Sequence, residues 1–238
     1  MKTMLITGGA NGIGKSIVEK FKSDYNVIVI DKDIKTINKL KKEHKEVRYY
    51  HETVTNYPRI KKIIDEIYLK YNNIDVLINN AAIQTVDNIS KLSIQDWKEV
   101  IEVNLTANFY ITQLVSNRMR NGSTILNITS THFNKPRTDH PHYDISKSGV
   151  TTLTKLFALE LACRDITINA LAIGATYTDM NKDFNIKAIE NNARNKIPMK
   201  HICTPDEISN YVYNIISNFS SETTGSIFVI DGGRNLHE

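Results

Sequence analysis

Short β-branched runs alternate with longer amphipathic stretches from one end of the chain to the other. Seven runs read as strands: residues 3–7, 26–30, 47–50, 74–79, 123–128, 166–172 and 226–230. Between them the apolar positions recur at helical spacing, most clearly at Ile60, Ile63, Ile64, Ile67, Tyr68 and Tyr71, with lysines and acids opposite. Val150, Leu153, Phe157 and Leu161 repeat that pattern later. Strands that are apolar almost throughout, separated by helices, predict a parallel sheet covered on both faces with right-handed crossovers. The expected fold class is therefore α/β: a single doubly wound domain over residues 1–238, with a seven-stranded parallel sheet and helices on both faces.

Composition changes this picture little. At 238 residues, 41% apolar and 24% charged, the chain is long enough for a continuous core. No apolar run approaches the ~20 residues that span a bilayer, and the opening MKTMLITGG reads as a first strand, so a membrane partner is not expected and the cytoplasm is. The net charge of +4 is spread over helix faces such as KTINKLKKEHK, which is no footprint for nucleic acid. Cys163 and Cys203 lack any ligand spacing and are expected to be reduced; no metal site is expected.

A doubly wound sheet binds its ligand at the carboxyl ends of the strands. After the first strand comes Thr7-Gly8-Gly9-Ala10-Asn11-Gly12-Ile13-Gly14 and then a helix, the order in which a close-fitting backbone and a helix N-terminus receive phosphate. Asp31 follows the second strand, where a carboxylate accepts from both ribose hydroxyls and repels a 2′-phosphate; this favours NAD. Its competing role is a helix N-cap, and Lys15 and Lys32 keep NADP as the minority option. Small residues follow the fourth strand in Asn79-Asn80-Ala81-Ala82, and Ser130 follows the fifth. Tyr143 and Lys147 share a helical face, and an ammonium beside a phenol favours the phenolate, making a candidate acid/base unit. Alone, such a pair also fits a solvated helix face.

Together these motifs resemble the classical short-chain dehydrogenase/reductase family over essentially the whole chain. TGGANGIG matches its T-G-x-x-x-G-x-G turn, NNAA resembles its N-N-A-G, Tyr143 to Lys147 match its Y-x-x-x-K, Asn104 matches its helical asparagine, and Asp231-Gly232-Gly233 resembles its D-G-G. The resemblance implies a Rossmann-type domain and a catalytic set of Asn104, Ser130, Tyr143 and Lys147. Tyr143 would carry the proton, Lys147 would lower its pKa and bind the nicotinamide ribose, Ser130 would bond the reacting oxygen, and Asn104 would hold a relay water. Cofactor contacts implied are Gly8, Asn11, Gly12, Ile13, Gly14, Asp31, Thr53, Val54, Asn80, Ala81, Tyr143, Lys147, Thr176 and Thr178. Substrate contacts implied are Ser130, His132 and Tyr143.

Four residues depart from the family pattern. Ala82 adds a methyl beside the cofactor, tolerable at negative φ. Thr53 replaces an aspartate that would bind adenine, and the adjacent Glu52 is expected to point away from the site as in a strand. Ile173 and Thr176 depart at the start of an expected lid running from Thr178 to about Pro198. The loop from Thr131 to His142, with Phe133, Asn134, Lys135, Arg137 and His140, is polar and basic; it suits a hydroxylated or carboxylated substrate, or is a solvated surface loop. The expected function is hydride transfer between NAD(H) and a secondary alcohol or carbonyl of a small polar substrate. Alternatives are an NADP-dependent oxoacyl-type reductase, a dehydratase or epimerase, and a non-catalytic dinucleotide sensor. Resemblance also implies a homodimer or homotetramer, with Phe109, Phe157 and Leu161 available to its interface or to the core.

Overall fold

The computed structural model describes residues 1–178, 195–218 and 222–236. All seven expected strands form, each within two residues of its expected limits: β1 (Lys2–Thr7), β2 (Tyr25–Asp31), β3 (Arg48–His51), β4 (Val76–Asn79), β5 (Thr124–Ser130), β6 (Thr167–Ile173) and β7 (Ile227–Ile230). They make one sheet in the order β3-β2-β1-β4-β5-β6-β7, with every pairing parallel. Strand order thus reverses between β1 and β4, and that is where a crevice opens in such sheets.

Seven α-helices are placed among the described residues: α1 (Gly12–Phe21), α2 (Ile34–Glu43), α3 (Tyr57–Tyr71), α4 (Ile94–Ile101), α5 (Ala107–Ser116), α6 (Pro141–Leu161) and α7 (Pro205–Asn218). The strands are apolar on consecutive positions because both faces are covered. Leu5, Ile28 and Ile30 pack under α3, α5 and α6, while Met4, Ile6, Val27 and Val29 pack under α1, α2 and α7. Ile60, Ile63, Ile64, Ile67 and Tyr68 are the buried stripe of α3, as their spacing requires. Phe157 and Leu161 are buried in the first of these cores, which settles them as intrachain residues, whereas Phe109 is 40% exposed. On α6 the large apolar residues turned outward are Ile145, Leu156 and Leu159.

Helix ends follow their capping residues. Asp33 caps α2, accepting from the N–H groups of Lys35 and Thr36, and hydrogen bonds from Thr36 hold its carboxyl down to about 2. Asn72 closes α3 in the left-handed conformation, φ 63°.

One polar seam runs through the sheet. Asn127 on β5 accepts from Asn79 Nδ2 of β4 at 2.9 Å and donates to Thr154 of α6 at 2.9 Å, and Asn79 Nδ2 also reaches Thr112 of α5 at 2.9 Å. Both asparagines are buried, so each lost bond strands a group without water. Asn127→Ala is expected to destabilise the protein by about 2–3 kcal/mol, since it strips partners from Asn79 and Thr154 together. Urea unfolding read by circular dichroism checks this.

Candidate active site

The glycine turn, the ends of β2 to β6 and the first turns of α1 and α6 surround one cavity of about 600 Å³. Its wall includes every cofactor residue named from the sequence: Gly8, Asn11, Gly12, Ile13, Gly14, Asp31, Thr53, Val54, Asn80, Ala81, Tyr143, Lys147, Thr176 and Thr178. Ser130 and His132 line it too; Asn104 does not.

The turn after β1 depends on residues without side chains. Gly8 stands at φ 67°, and a Cβ there would lie 2.8 Å from Ala81 Cα; a Cβ at Gly14 would lie 2.0 Å from the Gly8 carbonyl oxygen. Asn80 occupies the space between, donating to the carbonyls of Thr7 at 3.1 Å and Gly8 at 2.7 Å. The Thr7 hydroxyl in turn accepts from the N–H groups of Asn80 and Ala81, both at 3.1 Å. Asn11, at the N-cap of α1, gives its side chain to Asp33 instead of the helix, and no acid lies in the first turn. The helix therefore presents uncapped N–H groups and its positive end to the cavity, which fits a pyrophosphate. Asp31 accepts from Ala10 N–H through Oδ2 and from Asp33 N–H through Oδ1, each at 2.9 Å. The capping role weighed for it belongs to Asp33. These residues fit a dinucleotide: a backbone cradle for phosphate and a carboxylate for ribose.

Two departures resolve in the geometry. The non-glycine residues at positive φ among the described residues are Asn72, Asp165 and Lys200, so the Ala82 methyl carries no backbone strain. Glu52 does not point away, contrary to the strand argument: β3 ends at His51, the pleat ends with it, and Glu52 lines the cavity with its carboxylate accepting from Thr53 N–H at 3.0 Å. Thr176 is tied back by a parallel bridge to Cys203, and Tyr177 N–H donates to the Cys203 carbonyl at 3.0 Å. Of the expected lid, residues 179–194 lie outside the described residues, while Lys196 and Ile197 near its far end line the cavity.

At the reacting end, α6 is fixed against β5. Lys147 Nζ donates to the Ile128 carbonyl at 3.0 Å, and Thr129 Oγ1 donates to the Lys147 carbonyl at 3.0 Å. The ammonium lies 5.6 Å from the centre of the Tyr143 ring. Burial pushes the Tyr143 phenol up to about 12, a hydrogen bond from Ser130 pulls it down, and the Asp144 charge adds to the rise. Burial also brings Lys147 down to about 8. Desolvation, not the neighbouring ammonium, thus governs the phenol in the chain by itself. Asn104, inside the π-helical turn Glu102–Thr106 between α4 and α5, accepts from Ile83 N–H at 2.8 Å. It donates to the Ile83 carbonyl at 2.9 Å and to Ser146 at 3.1 Å. Ser146 passes a hydrogen bond to the Tyr143 carbonyl at 2.7 Å. The asparagine side chain is a brace between the β4 loop and α6, with both N–H protons spent.

The loop after β5 is built around Asp144, which sequence reading passed over. Its Oδ1 is 2.6 Å from His132 Nδ1 and its Oδ2 accepts from Arg137 N–H at 2.5 Å. The His132 ring meets the Tyr143 ring edge-on at 5.8 Å. His140 bonds to Asp139 at 2.8 Å and His142 to Thr85 at 2.6 Å, so the two histidines serve separate partners; burial holds His142 down. Glu99, Glu102 and Arg234 also line the cavity and were missed, because only the tertiary fold brings them there.

Comparison with known proteins agrees with this geometry. A family model described as enoyl-(acyl carrier protein) reductase matches residues 8–235. The 3-oxoacyl-acyl-carrier-protein reductase FabG of Thermotoga maritima is 37% identical over 240 residues, covering 98% of this chain and 97% of the relative. Glucose 1-dehydrogenase 2 of Bacillus subtilis is 30% identical over 246 residues, covering 99% and 95%. A solved short chain dehydrogenase from Bacillus anthracis superposes with a TM-score of 0.91 at 26% identity, over 100% of this chain and 98% of that one. ElxO, solved with NADP bound, gives a TM-score of 0.91 at 27% identity over 98% of each chain. With a family model over nearly its whole length and relatives of at least 30% identity end to end, the chain belongs to the short-chain dehydrogenase/reductase family.

Proposed function

We propose that this protein is an NAD-dependent oxidoreductase that interconverts a secondary alcohol and its carbonyl on a small polar substrate. Its membership makes it an oxidoreductase of the hydride-transfer kind that uses a nicotinamide dinucleotide. The observation that carries the finer reading is that Ser130, Tyr143 and Lys147 share a cavity with the glycine turn and Asp31. When bound, the cofactor supplies or accepts the hydride; the chain's own task is the proton and the placement.

In the reducing direction the phenol is the proton donor. Burial keeps it protonated at neutral pH, so a proton is available at Tyr143 Oη when the substrate carbonyl gains a hydride. The Ser130 hydroxyl, bonded to that phenol, stabilises charge developing on the substrate oxygen. Lys147 adds a positive charge beneath the ring and a donor for ribose hydroxyls. Asn104 is a positioning residue, acting on Tyr143 through Ser146.

Asp31 supports NAD, because its carboxylate faces the cavity where a 2′-phosphate would have to sit. Lys32 in the same wall, and the 37% identity to an oxoacyl reductase, favour the second reading, an NADP-dependent carbonyl reductase. Self-association as a dimer or tetramer is part of the proposal, supported by Phe109, Ile145, Leu156 and Leu159, which stand exposed on α5 and α6. The unpaired Cys163 and Cys203 support a reducing compartment such as the cytoplasm.

Tyr143→Phe is expected to lower turnover about 10²- to 10⁴-fold while dinucleotide binding, read by fluorescence titration, stays near wild type. Full activity in that variant overturns the role of the phenol. Asp31→Ser is expected to raise the NADP-over-NAD ratio of kcat/KM about 100-fold by removing like-charge repulsion; an unchanged ratio removes Asp31 from cofactor choice. Lys147 has a folded pKa of about 8 against an ordinary value of 10.5, so between these the unfolded chain binds the extra proton and stability rises with pH. Wild type should therefore gain about 2 kcal/mol relative to Lys147→Met between pH 8 and 10, read by denaturant unfolding at each pH.

A further inference from the structure

Charge in the cavity wall is sorted along the strand order. Asp31 and Glu52 stand at the ends of β2 and β3, accompanied by Lys32. The connections after β5, β6 and β7 contribute His132, His140, Arg137, Lys196 and Arg234 to the wall, and no acid among the described residues. Glu99 and Glu102, from the stretch after β4, add two more acids to the wall, so the part contributed after β5, β6 and β7 is where basic side chains stand without an acid among the described residues.

Arg234 is the best placed of these cations. It follows the Asp231-Gly232-Gly233 turn, in which both glycines take positive φ, 63° and 86°. Asp231 builds that turn: its Oδ1 accepts from Gly233 N–H at 2.9 Å and its Oδ2 from Asn235 N–H at 2.8 Å. The nearby acid is thereby committed to backbone, and the Arg234 guanidinium makes no ion pair or side-chain hydrogen bond with any described residue. Burial and then the charge of Arg137 lower its pKa, and the Asp231 charge offsets part of that, the state of a half-buried cation between a like charge and an acid that makes no direct bond to it. Arg137 itself is exposed and already paired with Asp139 at 2.8 and 3.1 Å. A guanidinium partly withdrawn from water is stabilised by an anion, and its planar fork suits a carboxylate with two hydrogen bonds.

We propose that Arg234 binds a carboxylate of the substrate, so that the protein acts on oxo acids and their hydroxy-acid counterparts rather than on neutral sugars or thioesters. His132 assists at the reacting side. Its Nδ1 proton is directed to the Asp144 carboxylate at 2.6 Å, which leaves Nε2 unbonded to any described residue on a ring that meets Tyr143 edge-on with centroids 5.8 Å apart. This assignment rests on the Tyr143 reading, since it places the anion across the same cavity from the phenol.

The test compares 2-oxobutyrate, acetoacetate and levulinate with their methyl esters, using the full chain with NADH and with NADPH. Wild type is expected to prefer at least one acid over its ester by about 30-fold or more in kcat/KM. Arg234→Gln should collapse that ratio and Arg234→Lys partly restore it. Calorimetric titration of the same acids in the presence of NAD, a mixture that cannot turn over, reads binding separately. Acids that bind through Arg234 without being reduced leave the anion site standing and defeat the proposed reaction. Turnover with equal acid-to-ester ratios in wild type and Arg234→Gln does the reverse. An ester preference in wild type, or neither turnover nor binding of any acid, overturns the inference.

Discussion

The crevice exists because Asn80 ties together the two halves of the sheet where their order reverses. Its side-chain amide donates to the carbonyls of Thr7 and Gly8, and its own N–H is received by the Thr7 hydroxyl, so the end of β4 is bound to the turn leaving β1. That contact needs Gly8 and Gly14 to be bare, since a Cβ on Gly14 would lie 2.6 Å from the Asn80 amide nitrogen. Everything the cavity offers follows from this approach. The N-terminus of α1 is held at the crevice, and Asp31 meets the same turn through Ala10.

Three further asparagines also hold elements in place. Asn127 and Asn79 fasten β4 and β5 to α5 and α6, and Asn104 fastens the β4 loop to α6. Each sits where a loop or helix must be kept at one height against the sheet. A hydrophobic contact would tolerate sliding there, whereas a buried hydrogen bond does not. The consequence for chemistry is positional: Ser130 and Tyr143, from different elements, stay within bonding reach.

Much of this was readable from the chain because the sheet is covered on both faces. Continuous apolar runs such as Val27 to Ile30 fit strands covered on both faces in a doubly wound α/β fold, and strand ends then point to Gly8, Asp31, Asn80 and Ser130. Helical spacing placed Tyr143 over Lys147 correctly. The failures were of two physical kinds. Alternation misjudged Glu52 because it applies only while the pleat lasts, and β3 stops one residue earlier. Arg234, Glu99 and Glu102 escaped because their approach to the site depends on how β7 and α4 are docked, which no local pattern encodes. Phe157 and Leu161 could not be assigned to core or interface until the rotation of α6 was known.

Lys147 makes the cavity a place where water and ligand trade protons. Its ammonium is buried against the Ile128 carbonyl with a pKa brought down to about 8, so at mildly alkaline pH a sizeable share of molecules carry a neutral amine there. Any occupant that hydrogen-bonds or charge-pairs with the ammonium favours the protonated form. Filling the site then draws protons from the buffer, and emptying it returns them. Occupancy of the crevice and the acidity of its surroundings are thus linked through a single buried nitrogen.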